Sequence, residues 1–297
     1  MTQFQLFQCI PAYKPGPTSR LIKSLFKYNC KILLDLEDSI QNVLNPKLNS
    51  LLKAQARKDF IAILAFIPER KISLRINRVG SEEFENDLIL LDQTKNRIES
   101  VFLPKVESME DILIFQSCTS NKFKLNLILE TKKGIENIDQ ILSPTYKVLI
   151  DKVFFGNYDY HLDSNIFPVH EQSSDWYWNT IKQIISSIEQ YGYGFGNSPY
   201  ALISDTTTLQ QSMLKLNKIC SNPYALMSLH LQQTKVLFRT NTTQNLDIKS
   251  SEFEGIEDLK TSFIKNLQKG RSFSFDNQRI ITPQEYFLAT AKHKCQD

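Results

Sequence analysis

A mixed α/β fold, a (β/α)8 barrel, is what the sequence predicts from three features. It contains eight short apolar runs, helical periodicity in the segments between them, and polar side chains where each apolar run ends. The runs are too short for helices and too continuously apolar for half-exposed strands, as expected of parallel strands covered on both faces. Eight strands alternating with helices over about 230 residues match the barrel in count, order and length. A doubly wound open sheet is the alternative, because closure is not written in a sequence.

The strands are read in order. The first is LFQCIPA (6–12), followed by KPGPTSR (14–20), which opens a helix over Ser19–Tyr28. The amides at that opening could receive an anion beside Lys14 and Arg20, or the segment could be a plain capped start. The second strand, KILLDL (31–36), leads to a helix over 46–66 with apolar residues at Leu48, Leu51, Leu52, Ala56, Phe60, Ile63 and Leu64, a 3.6-residue spacing. KISLRI (71–76) precedes a helix over Glu82–Lys95, and SVFLPKV (100–106) one over Ser108–Gln116, where Asp111 stands three residues after a Ser108 N-cap. LNLILE (125–130) precedes Gly134–Leu142. KVFFG (152–156) precedes Asp175–Gln190, whose Trp176 and Trp178 are two apart and cannot share a helix face. One should pack and the other cover a loop or a subunit contact. The glycine-rich YGYGFGNSP (191–199) lacks the G-x-G-x-x-G spacing and reads as a turn without phosphate. YALIS (200–204), a helix over Thr207–Ile219 and YALMSL (224–229) complete the set. Residues 1–245 are thus one barrel domain. Residues 246–297 are an appended helical extension, with Phe253, Ile256, Leu259, Phe263 and Leu267 at helical spacing. Such a stripe needs a surface: a barrel mouth, its own or a neighbouring subunit's, or the barrel's outer wall.

Composition narrows the function classes. With 41% hydrophobic and 23% charged residues, and no apolar run near the roughly 18 residues that span a bilayer, the chain is expected to be globular and without a membrane role. Thirty-five Lys plus Arg against 32 Asp plus Glu leave a net +3 with no basic cluster, so no nucleic-acid partner is expected. Cysteines 9, 30, 118, 220 and 295 form no C-x-x-C pair and read as reduced thiols of a cytoplasmic protein, as does an N-terminus without an export signal. Histidines 161, 170, 230 and 293 lack zinc-site spacing, and His161 reads as a partly exposed loop residue.

A barrel's active site forms where the C-terminal strand ends converge. Here those ends carry Asp35, Glu37 and Asp38; Arg75 and Asn77; Lys105; Glu130 and Thr131; Asn157 and Asp159; Ser204 and Asp205; and His230. Asp205 and Thr131 serve equally well as helix caps. Together the set suits a hard cation such as Mg²⁺ and an anionic substrate, because carboxylate oxygens are the ligands Mg²⁺ prefers and Arg recognises carboxylates.

At these positions the chain resembles the citrate lyase beta-subunit-like branch of the HpcH/HpaI aldolase superfamily. ILLDLEDSI (32–40) with Lys47 and the AR at 56–57, LRIN (74–77), FLPKVES (102–108), LETKKG (129–134) and FGNYDY (155–160) are similar to its motifs and come in its order. The resemblance implies a Mg²⁺-dependent (β/α)8 enzyme that cleaves or forms a carbon–carbon bond in a small hydroxy acid, a 2-oxo acid or an acyl thioester. It also implies a homo-oligomer, trimer or hexamer. Glu130 and Asp159 would be the metal ligands, Arg75 would bind the substrate carboxylate with Arg20 as a further anion contact, Glu37 and Asp38 would hold a metal-bound water or the reacting hydroxyl, and Lys105 would sit close by.

Three departures from the family pattern stand out. QFQLFQC lacks the first-strand Arg, SLHLQQ (228–233) has Leu231 at a proline position, and RIITPQEYFLA (279–289) carries Thr282 where thioester lyases have an aspartate that reaches a neighbouring subunit's site. They motivate the competing reading, a catalytically altered barrel that serves as a binding or pathway-scaffold protein.

Overall fold

The computed structural model describes residues 4–68, 70–120, 123–143, 150–240, 256–267, 272–275 and 279–294. The chain runs β1 (Phe4–Pro11), α1 (Pro15–Leu25), β2 (Lys31–Asp35), α2 (Asn49–Phe66), β3 (Ile72–Arg75), α3 (Glu82–Thr94), β4 (Ile98–Leu103), α4 (Met109–Thr119), β5 (Lys124–Leu129), α5 (Lys132–Glu136), α6 (Ile138–Leu142) and β6 (Ile150–Phe155). It continues with α7 (Asn157–Asp163), α8 (Asp175–Gln190), β7 (Gly194–Gly196), α9 (Thr206–Ile219), β8 (Tyr224–Ser228), α10 (Leu231–Thr240), α11 (Ile256–Asn266), β9 (Ser274–Phe275), β10 (Ile280–Ile281) and α12 (Pro283–Lys294). Strands β1 to β8 form a closed barrel in sequence order, all parallel, with β1 paired to β8 from Phe4↔Tyr224 to Gln8↔Ser228. The open-sheet alternative is thereby set aside.

Alternation along the strands builds two separate apolar clusters. One parity (Leu34, Leu74, Val101, Leu127 and Val153 among others) packs on the helices, whose buried faces include Ile22, Phe60, Leu91, Phe115 and Ile181. The other parity meets inside the barrel, where Phe7, Phe102 and Phe154 pack edge-on or tilted at centroid separations of 5.0 to 5.8 Å. The interior also holds hydrogen-bonded polar groups: Ser73 and Ser100 hydroxyls lie 2.8 Å apart, and the Asn126 amide nitrogen donates to Ser100.

Strand seven departs from the sequence reading. YALIS (200–204) forms bends and one isolated bridge, Leu202 to Arg279 of the tail, rather than a barrel strand, and β7 lies inside the segment read as a turn. The glycines are there for space. A Cβ on Gly196 would stand 2.3 Å from the Phe154 ring, and one on Gly194 would stand 2.1 Å from the Pro223 carbonyl oxygen. Glycine in a strand marks such close approaches. The residues that follow β7 are therefore Asn197 and Ser198, while Asp205 caps α9 by accepting from Thr208 N at 3.0 Å. Thr131 likewise caps α5, and Ser108 with Asp111 forms a reciprocal capping box at α4. Trp178 is buried with its Nε1 donating to Gln172 O, while Trp176 stacks on His170 over the α7–α8 loop. His161 is not a loop residue: it lies fully buried on α7, its Nε2 accepting from His170 N.

The elements after α10 sit on the barrel's carboxyl-end face. Leu259 and Phe263 of α11 pack with Ile281, Ala289 and Val43, the last from the β2–α2 loop, while Phe263 stacks on Tyr286. Ile280 N bonds to Ala201 O at 2.9 Å. Phe253 lies outside the described residues. No helix among the described residues is long and apolar enough to cross a membrane.

Candidate active site

The loop after β2 brings three carboxylates to the mouth in distinct states. Asp35 is saturated: it accepts Arg75 Nε and Nη2, each at 2.6 Å, and the backbone amides of Glu37 and Ser39 at 2.9 and 3.1 Å. Burial opposes its charge, yet Arg75 and these hydrogen bonds hold it below the ordinary range. Arg75 is thus committed along one edge to Asp35. Its Nη1 faces Glu37 Oε2 at 3.2 Å and Asp38 Oδ2 at 3.8 Å.

Lys105 joins the cluster from the end of β4. Its φ of 53° lies in the left-handed region, a strained state for a residue with a side chain. That turn lets its amide donate to Glu130 Oε1 at 3.0 Å, while Nζ reaches Glu37 at 2.5 Å, Asp38 at 3.1 Å and Asp159 at 3.4 Å. Burial works against its charge, but Asp159, Asp38 and Glu37 raise its pKa well above normal, so Lys105 is a fixed cation. Asp38 is buried too, yet Lys105 and Arg75 pull it far below the usual carboxylate range.

Glu130 and Asp159 are driven the other way. Burial first, then each other's neighbouring charges, raise Glu130 well above normal; Asp159 rises to about 7 through burial and the charge of Asp38. The Glu130 carboxylate lies in a cradle that only glycine permits, since a Cβ on Gly156 would stand 2.4 Å from Glu130 Oε2. Five carboxylates here face two cations, so Glu130 and Asp159 have no cation of their own: Lys105 Nζ, 3.4 Å from Asp159, is shared with Glu37 and Asp38, and burial without a dedicated partner raises the pKa of both. This donor set fits a hard divalent cation. Among the described residues no group of three or more His, Cys, Asp or Glu side chains is arranged to hold a metal ion.

A cavity of about 70 Å³ opens onto this cluster, with Asp38, Arg75, Glu130 and Asp159 on one side and Ile128, Phe154, Met227 and Leu229 on another. Asn157, Asn197, Ser198 and Thr282 also line it. Six of the seven expected site residues are therefore brought together: Glu37, Asp38, Arg75, Lys105, Glu130 and Asp159. Arg20 is exposed on α1 and belongs to none of the cluster's ion pairs.

Two residues escape the sequence reading. Lys53 of α2 braces the β2 loop, donating to Leu36 O at 3.2 Å, Glu37 O at 3.1 Å and Asn77 Oδ1. Asn77 is held in turn by Asp87, which Arg57 supports at 2.8 Å. Lys53 stands three residues before the AR pair, a local signal that could have found it. Gln284 of α12 donates to Asp159 Oδ2 at 2.9 Å and Asp38 Oδ2 at 3.3 Å. No local pattern marks it. Thr282 is occupied as the α12 cap, its amide and hydroxyl both on Glu285 Oε2.

The family model of the HpcH/HpaI aldolase/citrate lyase proteins matches residues 11–168, which run from the last residue of β1 through β2 to β6 and α7. The chain belongs to the HpcH/HpaI aldolase/citrate lyase family. Its similarity to human mitochondrial citramalyl-CoA lyase is 32% identity over 168 residues, 50% of this chain and 46% of that protein. The rat enzyme is 29% identical over 170 residues, 50% of this chain and 47% of that one. The chain thus spans about half the length of the curated relatives it matches. Among solved structures, the citrate lyase beta subunit of M. tuberculosis complexed with oxaloacetate and magnesium superposes with a TM-score of 0.63 at 18% identity, covering 81% of this chain and 98% of that one. Malate synthase of Haloferax volcanii, in a pyruvate/acetyl-CoA ternary complex, gives 0.74 at 14% identity over 99% of this chain and 91% of that one. These structures share the barrel fold, and the second likeness covers nearly the whole chain.

Proposed function

We propose that this family member is a Mg²⁺-dependent carbon–carbon lyase or aldolase acting on a small hydroxy acid, a 2-oxo acid or an acyl thioester of one. The observation that carries the reading is the pair Glu130 and Asp159 at one cavity, Glu130 in the Gly156 cradle and Asp159 3.4 Å from a Lys105 that it shares with Glu37 and Asp38, so that neither carboxylate has a cation of its own. When bound between them, Mg²⁺ supplies Lewis-acid polarisation of an oxo or hydroxy oxygen, a contribution of several kcal/mol.

The chain's own residues do the rest. Arg75 offers Nη1 to a substrate carboxylate while Asp35 fixes the guanidinium plane, so orientation is set before binding. Lys105 stays protonated and donates, which excludes it as a general base. Phe154, Met227 and Leu229 line the cavity and limit water. A second cleft of about 590 Å³, between α1 and the start of α10, shares Cys9 and Leu229 with the cavity and gives a thioester's arm an approach. Retention of both uncommitted carboxylates favours catalysis over the scaffold reading. Free thiols at Cys9, Cys30, Cys118 and Cys220 support a reducing compartment such as the cytoplasm. Assembly as a homo-oligomer, trimer or hexamer, is part of the proposal and is checked by solution mass.

The test is calorimetry with Mg²⁺ followed by a turnover screen of hydroxyacyl thioesters and 2-oxo acids. Glu130→Gln and Asp159→Asn are expected to lose cation binding and turnover while remaining folded. Wild-type cation affinity in both variants would defeat the assignment.

A further inference from the structure

Both oxygens of Asp159 are engaged before any cation arrives. Oδ1 faces Lys105 Nζ at 3.4 Å, and Oδ2 accepts Gln284 Nε2 at 2.9 Å. Asp38 is held by the same two residues: Oδ1 faces Lys105 at 3.1 Å and Oδ2 faces Gln284 at 3.3 Å. Of the two partners, Lys105 is repelled by an incoming cation and Gln284 is neutral. A neutral donor can hold one lone pair of Oδ2 while leaving the carboxylate its charge.

Gln284 reaches this position because α12 is built onto its own barrel. The Thr282–Glu285 cap sets the start of the helix, and Arg279 pairs with Glu285 and lies 3.7 Å from Glu171. Glu171 accepts the hydroxyl of Tyr158, the residue beside Asp159, at 3.1 and 3.2 Å. Ser272 Oγ adds a bond to the Asp38 carbonyl oxygen. The amide of Gln284, 5% exposed, is therefore presented to the two aspartates by a docked helix of the same chain.

We propose that Gln284 is a positioning residue for the cation site: its amide fixes the Asp159 and Asp38 carboxylates together, and through it the C-terminal helix is coupled, within one chain, to the occupancy of that site. The proposal rests on the cation site proposed above. It makes the tail part of the site rather than a cover, and it assigns this chain a neutral tail contact two residues past Thr282.

Two substitutions have opposite expected signs. Gln284→Ala releases both aspartates and should weaken Mn²⁺ and Mg²⁺ affinity threefold to tenfold. Gln284→Glu keeps the length but brings a charged oxygen. It should tighten cation affinity, because anionic oxygens are the ligands these ions prefer. Without a cation the new carboxylate repels Asp159 and Asp38, so amides of residues 283–294 should exchange hydrogen faster than in wild type, and Mn²⁺ should restore their protection. The measurements are Mn²⁺ titration followed by electron paramagnetic resonance, Mg²⁺ calorimetry, and hydrogen exchange of the full chain with and without Mn²⁺. A merely structural role predicts that affinity falls in both variants alike. That result, or wild-type affinity in both while Asp159→Asn loses the cation, overturns the role of Gln284 and leaves the cation site standing. A wild-type protein that binds neither ion removes the site itself, and with it this proposal.

Discussion

Asp35 and Asp159 carry the same carboxyl group at the same barrel mouth, and their surroundings drive them in opposite directions. Asp35 has a committed guanidinium; Asp159 shares Lys105 with Glu37 and Asp38 and is raised from 3.8 to about 7. A carboxylate whose folded pKa is raised binds more protons in the folded than in the unfolded chain, so its contribution to stability falls as pH rises from about 4 to about 7. For Asp159 this amounts to up to about 4 kcal/mol. Relative to Asp159→Asn, cation-free wild-type protein should therefore lose melting temperature between pH 5 and pH 8, and Mg²⁺ should restore more at pH 8; the comparison cancels buried His161, whose pKa is lowered to about 4 and whose contribution runs the opposite way. Thermal scans across this range, with and without chelator, check it. Removing Arg75 should act on the fold, since it leaves Asp35 buried and unpaired: Arg75→Ala should cost about 3–5 kcal/mol in urea unfolding. An unchanged midpoint would show that Asp35 finds another partner. At Gly156 the effect should be confined to the site. Gly156→Ala puts a methyl group 2.4 Å from Glu130 Oε2, so calorimetry should show cation binding lost with little change in far-UV circular dichroism.

Among the elements, β7 is the least legible in sequence and the most demanding in space. A three-residue strand with two glycines has no apolar run to announce it, and YALIS (200–204) beside it looks more like a strand than β7 does. Barrel closure decides the matter, because Phe154 occupies the volume a side chain at 196 would need. Overpacking of this kind typically costs about 1–3 kcal/mol. Gly196→Ala should lower stability by at least that much and disturb the cavity wall, since Phe154 lines it. An equilibrium denaturation curve that matched wild type would mean that the ring can step aside. The α-helices were the easier part. Asp175–Gln190 is observed with the bounds its periodicity predicts, and the Ser108 cap lies where S-x-x-D spacing puts it, because these signals are local.

At the level of the whole molecule, the tail joins the barrel through an apolar layer and a polar contact. Leu259 and Phe263 cover Val43 and Ile281, and Gln284 reaches the aspartates. Truncation after residue 250 removes both. It should yield a barrel that is less stable, with Val43 and Phe167 newly uncovered, binds Mg²⁺ more weakly than the full chain and turns over poorly as water enters. Full activity in the truncated protein, measured beside the intact chain, would deny the tail any part in the site.

What the sequence by itself determined is whatever local pattern encodes: the barrel class, from the alternation of apolar runs and helical periodicity, and the meeting of six candidate residues at one mouth, because strand ends must converge once eight parallel strands close. What only the tertiary structure decided are the contacts between positions distant in the chain. Arg75 is committed to Asp35 forty residues away, Lys53 supports the β2 loop, a glycine strand fits beside Phe154, and Gln284 lies 125 residues from Asp159 in sequence but 2.9 Å in space. Spacing cannot reveal such pairs, because their partners are chosen by how the barrel closes and where the tail docks, and packing at that level depends on shape and charge contributed by every strand at once.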